Sequence, residues 1–212
     1  MKKQSEVVKI VKILKEYYPD AKCSLDFKTP FQLMIAVMLS AQCTDERVNK
    51  TTPELFKLFP TPEKMANAKI EEIEKIIRPC GFYRNKSKNI LATSKLLVEK
   101  YNCIVPQDIK ELENFPGVGR KSANVIMTEA FNDCQGIAVD THAKRISNKL
   151  GLSSKSEPLK IEEDLLKQVP KEYLKDINHL FMWLGRDKCN SRKPDCDNCP
   201  LNKYCDFYSQ RC

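Results

Sequence analysis

Apolar residues recur along this chain at helical spacing and almost nowhere at strand spacing. Val7, Ile10, Val11, Leu14, Tyr17 and Tyr18 form one stripe, with Pro19 placed to end it. Ile70, Ile73, Ile76 and Ile77 line a second face, and Ile90, Leu91, Leu97, Val98 and Tyr101 a third. Thr52-Pro53 and Thr61-Pro62 both read as an N-cap followed by proline at the first helical position. Ser156 predicts the opening of a helix carrying Leu159, Glu162, Leu165 and Leu166, closed before Pro170. Tyr173, Leu174, Ile177, Leu180, Phe181 and Leu184 form the next stripe, with Gly185 as its stop. The most apolar stretch, Phe31 to Cys43, contains Gln32, Ser40 and Gln42 and is too short to span a bilayer, so it predicts a buried helix. Only Gly136-Ile137-Ala138-Val139 resembles a strand, and it is too short to build a sheet. The fold expected is all-α, about ten helices with short connections and no internal repeat.

The chain's 212 residues suffice for one large domain or two small ones. Its net charge of +8 is compatible with a polyanionic partner, and equally with a merely lysine-rich globular protein. Met1-Lys2-Lys3 leads into an amphipathic pattern rather than an apolar run, which predicts a cytosolic protein without a signal peptide. In a reducing cytosol the ten cysteines are not expected to form disulfides. Six of them (Cys23, Cys43, Cys80, Cys103, Cys134 and Cys212) are scattered and read as small hydrophobes or bystanders.

Candidate chemistry begins between Phe115 and Asp140. Gln107 to Phe115 predicts a helix of about two turns, and Arg120 to Phe131 a second, carrying Ala123, Val125, Ile126, Met127 and Ala130. Pro116-Gly117-Val118-Gly119 joins them as a helix-hairpin-helix. The glycines permit unusual backbone angles and close approach, and the amides opening the second helix can hold a phosphate without reading sequence. An ordinary helix–helix turn fits the tetrapeptide equally well. Lys121 stands in the first turn, where the helix dipole repels a cation. That repulsion, like burial, favours the neutral amine a nucleophile needs, although a solvated lysine is the plainer reading. Asp140 precedes Thr141-His142-Ala143-Lys144 as an N-cap, a role compatible with catalysis.

Cys189, Cys196, Cys199 and Cys205 are separated by six, two and five residues. Four thiols so close in a cytosolic chain call for a metal. Structural zinc more often uses two Cys-x-x-Cys knuckles and this loop has one, so the spacing favours an iron–sulfur cluster while zinc stays open. Arg192 and Lys193, inside the first gap, are available to phosphates or to solvent.

Several blocks together carry a family resemblance. They are Thr29-Pro30-Phe31, Leu39-Ser40-Ala41-Gln42, Thr44-Asp45, Val48-Asn49-Lys50, Gly81-Phe82-Tyr83, Lys86, Phe115–His142, Gly185-Arg186 and the four-cysteine loop. The chain resembles, essentially end to end, the endonuclease III family of bacterial helix-hairpin-helix DNA glycosylases. That resemblance implies a two-lobed all-α fold. A six-helix barrel over residues 22–133 would contain the hairpin, and a helical domain built from 1–21 and 134–212 would carry a [4Fe-4S] cluster. It implies a base excision repair enzyme that removes oxidised pyrimidines from duplex DNA and cleaves 3′ to the abasic site by β-elimination. Lys121 matches the Schiff-base nucleophile and Asp140 the catalytic carboxylate, with DNA in the groove between the lobes. Cys189, Cys196, Cys199 and Cys205 match the cluster ligands. Gln42 matches a residue that fills the gap left by the extruded nucleotide, and Phe82 a second wedge that is usually leucine. Gly117, Val118, Gly119, Arg120, His142, Arg192 and Lys193 complete the expected DNA contacts. The expected partner is duplex DNA with damaged bases or abasic sites, bound by a monomer, with no membrane, in the cytoplasm at the nucleoid. Two rivals are a mismatch adenine glycosylase, which lacks the lysine and continues into a further domain, and a non-enzymatic cluster protein, which needs neither Lys121 nor Asp140.

Overall fold

In the computed structural model, which describes residues 2–210, the side chains of Thr29, Thr44, Thr61, Asp108 and Asp140 cap five of the helices. Their order is α1 Gln4–Tyr17, α2 Pro30–Ser40, α3 Asp45–Leu58, α4 Pro62–Ala66, α5 Ile70–Ile77, α6 Tyr83–Lys100, α7 Ile109–Glu113, α8 Arg120–Phe131, α9 Thr141–Lys149, α10 Pro158–Gln168, α11 Leu174–Asp187 and α12 Asp206–Ser209. Three single 3-10 turns, at Arg78–Cys80, Lys171–Tyr173 and Asn202–Tyr204, complete the set. The described residues contain no strand, and twelve α-helices rather than about ten; a piece as short as α12 shows no periodicity. No helix among them is long and apolar enough to cross a membrane.

The chain forms two compact units, one of Ser24–Gln135 and the other of residues 1–23 with 136–212. In the first, Thr29 accepts the Gln32 N–H and Pro30 takes the first helical position, so α2 starts there. Leu33 to Leu39 are all buried, and a helix apolar on every side must be surrounded. It packs against α3, α6 and α8. In the second unit, α11 packs on α1 and α9, and α9 also meets α10 and α12. Val7, Ile10, Val11 and Leu14 close that core; Tyr17, expected with them, is exposed.

Several expected boundaries move. Thr52-Pro53 does not start a helix. Thr44 caps α3 instead, and burial of Thr51, Thr52 and Leu55 carries the helix through Pro53. The second helix of this kind, at Thr61-Pro62, does start there. On α6 the buried face is Lys86, Ser87, Ile90, Thr93, Ser94 and Leu97, while Val98 is exposed. Ser87 and Ser94 tolerate this because their hydroxyls donate to the Arg84 and Ile90 carbonyls of the same helix. α7 is five residues rather than two turns, started by Asp108 accepting the Glu111 N–H. α10 begins at Pro158 rather than Ser156, and Leu159 is exposed. Its buried polar residues are satisfied: Glu162 accepts the Ile137 N–H, and Gln168 donates to the Leu152 and Asp164 carbonyls. Gly185 does not stop α11, which continues to Asp187. Of the scattered cysteines Cys80 alone is fully buried; Cys212 lies outside the described residues.

Candidate functional site

The hairpin occupies residues 116–119, between α7 and α8. Gly117 has φ +80°, and a Cβ there would stand 2.7 Å from the Asn89 side-chain nitrogen on α6, so glycine is required twice over. Thr93 of the same helix donates to the Pro116 carbonyl at 3.3 Å, seating the turn. Gly119 differs from its expected role, having extended backbone that any residue could adopt. Nothing stands within 4 Å of where its Cβ would be, so the approach to the turn is open. Val118 has a buried side chain and its N–H donates to the Phe115 carbonyl, so it also builds the hairpin.

Gly119 is the N-cap of α8, provides no side-chain cap, and no acidic residue lies in the first turn. The N–H groups of this turn therefore stand at the positive end of the helix dipole with no acidic residue beside them in the turn. Arg120 faces Glu113 at 3.7 Å, both half-exposed, a pair of little energetic weight. Lys121 is exposed, as the plainer reading of a first-turn lysine has it.

In the other unit, Ile137, Ala138 and Val139 are buried and lead into Asp140, whose own backbone is extended. Asn178 of α11 donates to the Ala138 carbonyl, and Asp140 Oδ1 accepts the Ala143 N–H at 2.7 Å. The carboxylate is thus the N-cap of α9, half-buried, as the sequence predicts. His142 follows it. Burial pushes its pKa down, the Asp140 charge raises it, and Arg145 and Arg186 lower it. Arg145 can only donate at its 3.0 Å contact with His142 Nδ1, so the neutral ring carries its proton on Nε2. The same guanidinium donates to the Gly185 and Cys189 carbonyls, at 3.2 and 2.9 Å. A Cβ on Gly185 would collide with the His142 ring and stand 3.0 Å from Arg145, which is why a glycine sits inside α11. Arg145 and Asn178 carry no motif in the sequence that announces these bonds across about 40 residues.

Cys189, Cys196, Cys199 and Cys205 line one pocket with Pro194 and Phe207. The loop closes through the Asp195 N–H to the Lys188 carbonyl, 2.8 Å, and the Lys188–Asp195 ion pair, 3.2 Å. Asn190 accepts the Lys193 N–H at 2.7 Å and leaves Arg192 and Lys193 exposed. Burial pushes the Cys199 thiol up to about 11 and raises Cys189 as well. Thiolates in this pocket need a cationic centre to stabilise them. Among the described residues no three His, Cys, Asp or Glu side chains are grouped to hold a metal ion.

Gln42 and Phe82 both lie in the first unit, exposed, at the ends of turns. Each is a non-glycine residue in the left-handed region, with φ of 54° and 46°.

Residues 35–171 match the HhH-GPD superfamily of base excision DNA repair proteins. Endonuclease III of Synechocystis sp. is 45% identical over 203 residues, covering 96% of this chain and 93% of the relative. A solved non-covalent endonuclease III–DNA complex superposes with a TM-score of 0.91 at 41% identity, over 100% of this chain and 99% of that one. A trapped covalent endonuclease III–DNA intermediate matches with the same score, identity and coverage.

Proposed function

The chain belongs to the endonuclease III family of the HhH-GPD superfamily, and we propose that Lys121 and Asp140 carry its chemistry. It is a base excision repair DNA glycosylase with apurinic/apyrimidinic lyase activity, and DNA is its partner. The carrying observation is the exposed amine of Lys121 in the first turn of α8, a turn that opens on the Pro116–Gly119 hairpin and contains no acidic residue.

The chemistry follows from these parts. A damaged base stacks poorly, so extruding its nucleotide costs less than extruding a normal one. Amides at the start of α8, with the open approach at Gly119, grip a phosphate and position the strand. The neutral Lys121 amine attacks the sugar C1′ and displaces the base, leaving a Schiff base that acidifies the adjacent carbon. Loss of that proton expels the 3′ phosphate by β-elimination. Asp140 assists the attack and stabilises positive charge on the sugar; one of its oxygens caps α9, and the reaction uses the other. Gln42 and Phe82 fill the space the nucleotide vacates, while Arg120, His142, Arg192 and Lys193 contact the backbone. The lesions proposed are oxidised pyrimidines, processed by a monomer at the nucleoid. Duplexes carrying one defined lesion each test this: strand cleavage is expected at an oxidised pyrimidine and at an abasic site. Cleavage at the abasic site alone would overturn the substrate assignment.

Cys189, Cys196, Cys199 and Cys205 are the proposed ligands of a [4Fe-4S] cluster. They line one pocket, and their spacing, with a single Cys-x-x-Cys pair, suits a cluster better than the two-knuckle pattern of structural zinc. The four cysteines would hold the cluster, which would fasten residues 189–205 in a structural role and leave Arg192 and Lys193 facing phosphates. The purified protein is expected to contain about four iron and four acid-labile sulfide per chain. Cys199→Ser is expected to lose both, together with thermal stability. One zinc per chain without sulfide would overturn the assignment.

A further inference from the structure

We propose that Lys86 is a positioning residue for nucleotide extrusion, its buried ammonium clamping together the two turns that present Gln42 and Phe82. This rests on the reading of those two residues as the groups that occupy the vacated space in the duplex.

A lysine only 7% exposed needs a reason, because its charge is costly to bury without partners. Lys86 has two strong ones. Its Nζ donates to the Leu39 carbonyl at 2.8 Å and to the Cys80 carbonyl at 2.9 Å. Leu39 lies in the last turn of α2, where carbonyls lack partners within the helix and the dipole favours a cation. Cys80 ends the 3-10 turn that precedes Gly81 and Phe82. Gln42 therefore follows one clamped carbonyl by three residues, and Phe82 follows the other by two.

The grip on Phe82 is double. The main-chain N–H of Lys86 donates to the Phe82 carbonyl at 3.1 Å, while its side chain holds Cys80 on the other side. Both presented residues have left-handed backbone, a conformation that persists only where its surroundings enforce it. Both are exposed, Phe82 at 64%, so no packing of their own side chains fixes them. A single ammonium bonded to both turns keeps their spacing constant before DNA arrives. The ordering cost is then met on folding rather than on binding. Burial pushes the Lys86 pKa down, while the Cys43 and Cys80 thiols beside it act in the opposite sense. The amine does not reach the surface, so it acts through the turns and not on substrate.

The test compares two substrates with Lys86→Met, which keeps the apolar length and removes the donors. Single-turnover excision from a duplex with an oxidised pyrimidine is expected to fall by about tenfold to a hundredfold, the scale of a small misplacement of reacting groups. Cleavage of a single-stranded abasic oligonucleotide, which needs Lys121 chemistry but no wedge, is expected to stay within about threefold of wild type. A 2-aminopurine placed opposite the lesion should lose its extrusion signal in the variant. If Lys86→Met does not fold, Lys86→Gln, with a shorter donor, makes the same comparison. Equal losses on both substrates, or no loss on the duplex, would overturn the clamp. A wild-type protein inactive on both substrates would instead count against the proposed function.

Discussion

Lys121→Gln is expected to abolish borohydride trapping on abasic DNA and to lower strand cleavage by at least about a thousandfold. The amine is the only group at the hairpin offered as a nucleophile, and an amide at that position cannot form an imine. The side chain is exposed and stands in a first turn without a side-chain cap, so its replacement leaves the fold intact. Stability should remain within about 0.5 kcal/mol of wild type. Binding to duplex abasic DNA should persist, because the amides of residues 119–122 are untouched. The variant would thus separate holding the strand from cutting it. Trapping equal to wild type would remove Lys121 from the mechanism.

Asp140→Asn has an equally large expected effect on turnover with almost none on folding. Asparagine caps a helix as well as aspartate does, and the bond concerned is the 2.7 Å contact from the Ala143 N–H to Oδ1. Thermal unfolding should therefore change little. Turnover should fall by about a hundredfold to ten-thousandfold, because an amide neither accepts a proton nor stabilises positive charge on the sugar. Asp140→Ala provides the contrast: it should lose the same turnover and also about 1 kcal/mol of stability with the cap. Unchanged turnover in Asp140→Asn would leave the residue as a cap alone.

The two predictions differ in how much of their basis is legible in the sequence. Asp140 as an N-cap, α8 beginning at Arg120, and the turn at Gly117 all depend on hydrogen bonds spanning three or four residues. Such bonds leave a residue pattern that can be read directly. The same holds for Thr29, Thr61 and Asp108, each of which starts a helix by accepting an N–H three residues on. Where the pattern misleads, a competing local signal is overridden from outside the segment. Thr52-Pro53 looks like a start because nothing local distinguishes it from one. Gly185 looks like a stop because glycine ends helices, whereas here it yields space to His142 from α9.

The face of α6 carries the same lesson. Apolar spacing selects Leu91 and Val98, yet the protein buries Lys86, Ser87, Thr93 and Ser94. Polar groups go inside because their partners are already there: carbonyls of the same helix for the serines, and the ends of α2 and of the 3-10 turn for the lysine. Arg145 likewise reads as an ordinary helix cation until three elements of its own unit are found around it.

By itself, then, the sequence determined the helical class, the hairpin, the Asp140 cap and the spacing of Cys189, Cys196, Cys199 and Cys205, because each is set by residues within a few turns of one another. The tertiary structure alone decided that Lys86 is buried, that Val118 faces inward, and that Arg145 joins α9 to the end of α11. The bonds of Lys86 to Leu39 and of Arg145 to Gly185 and Cys189 span 40 to 47 residues, and the cost of burying a charge is known only when its partners are in place.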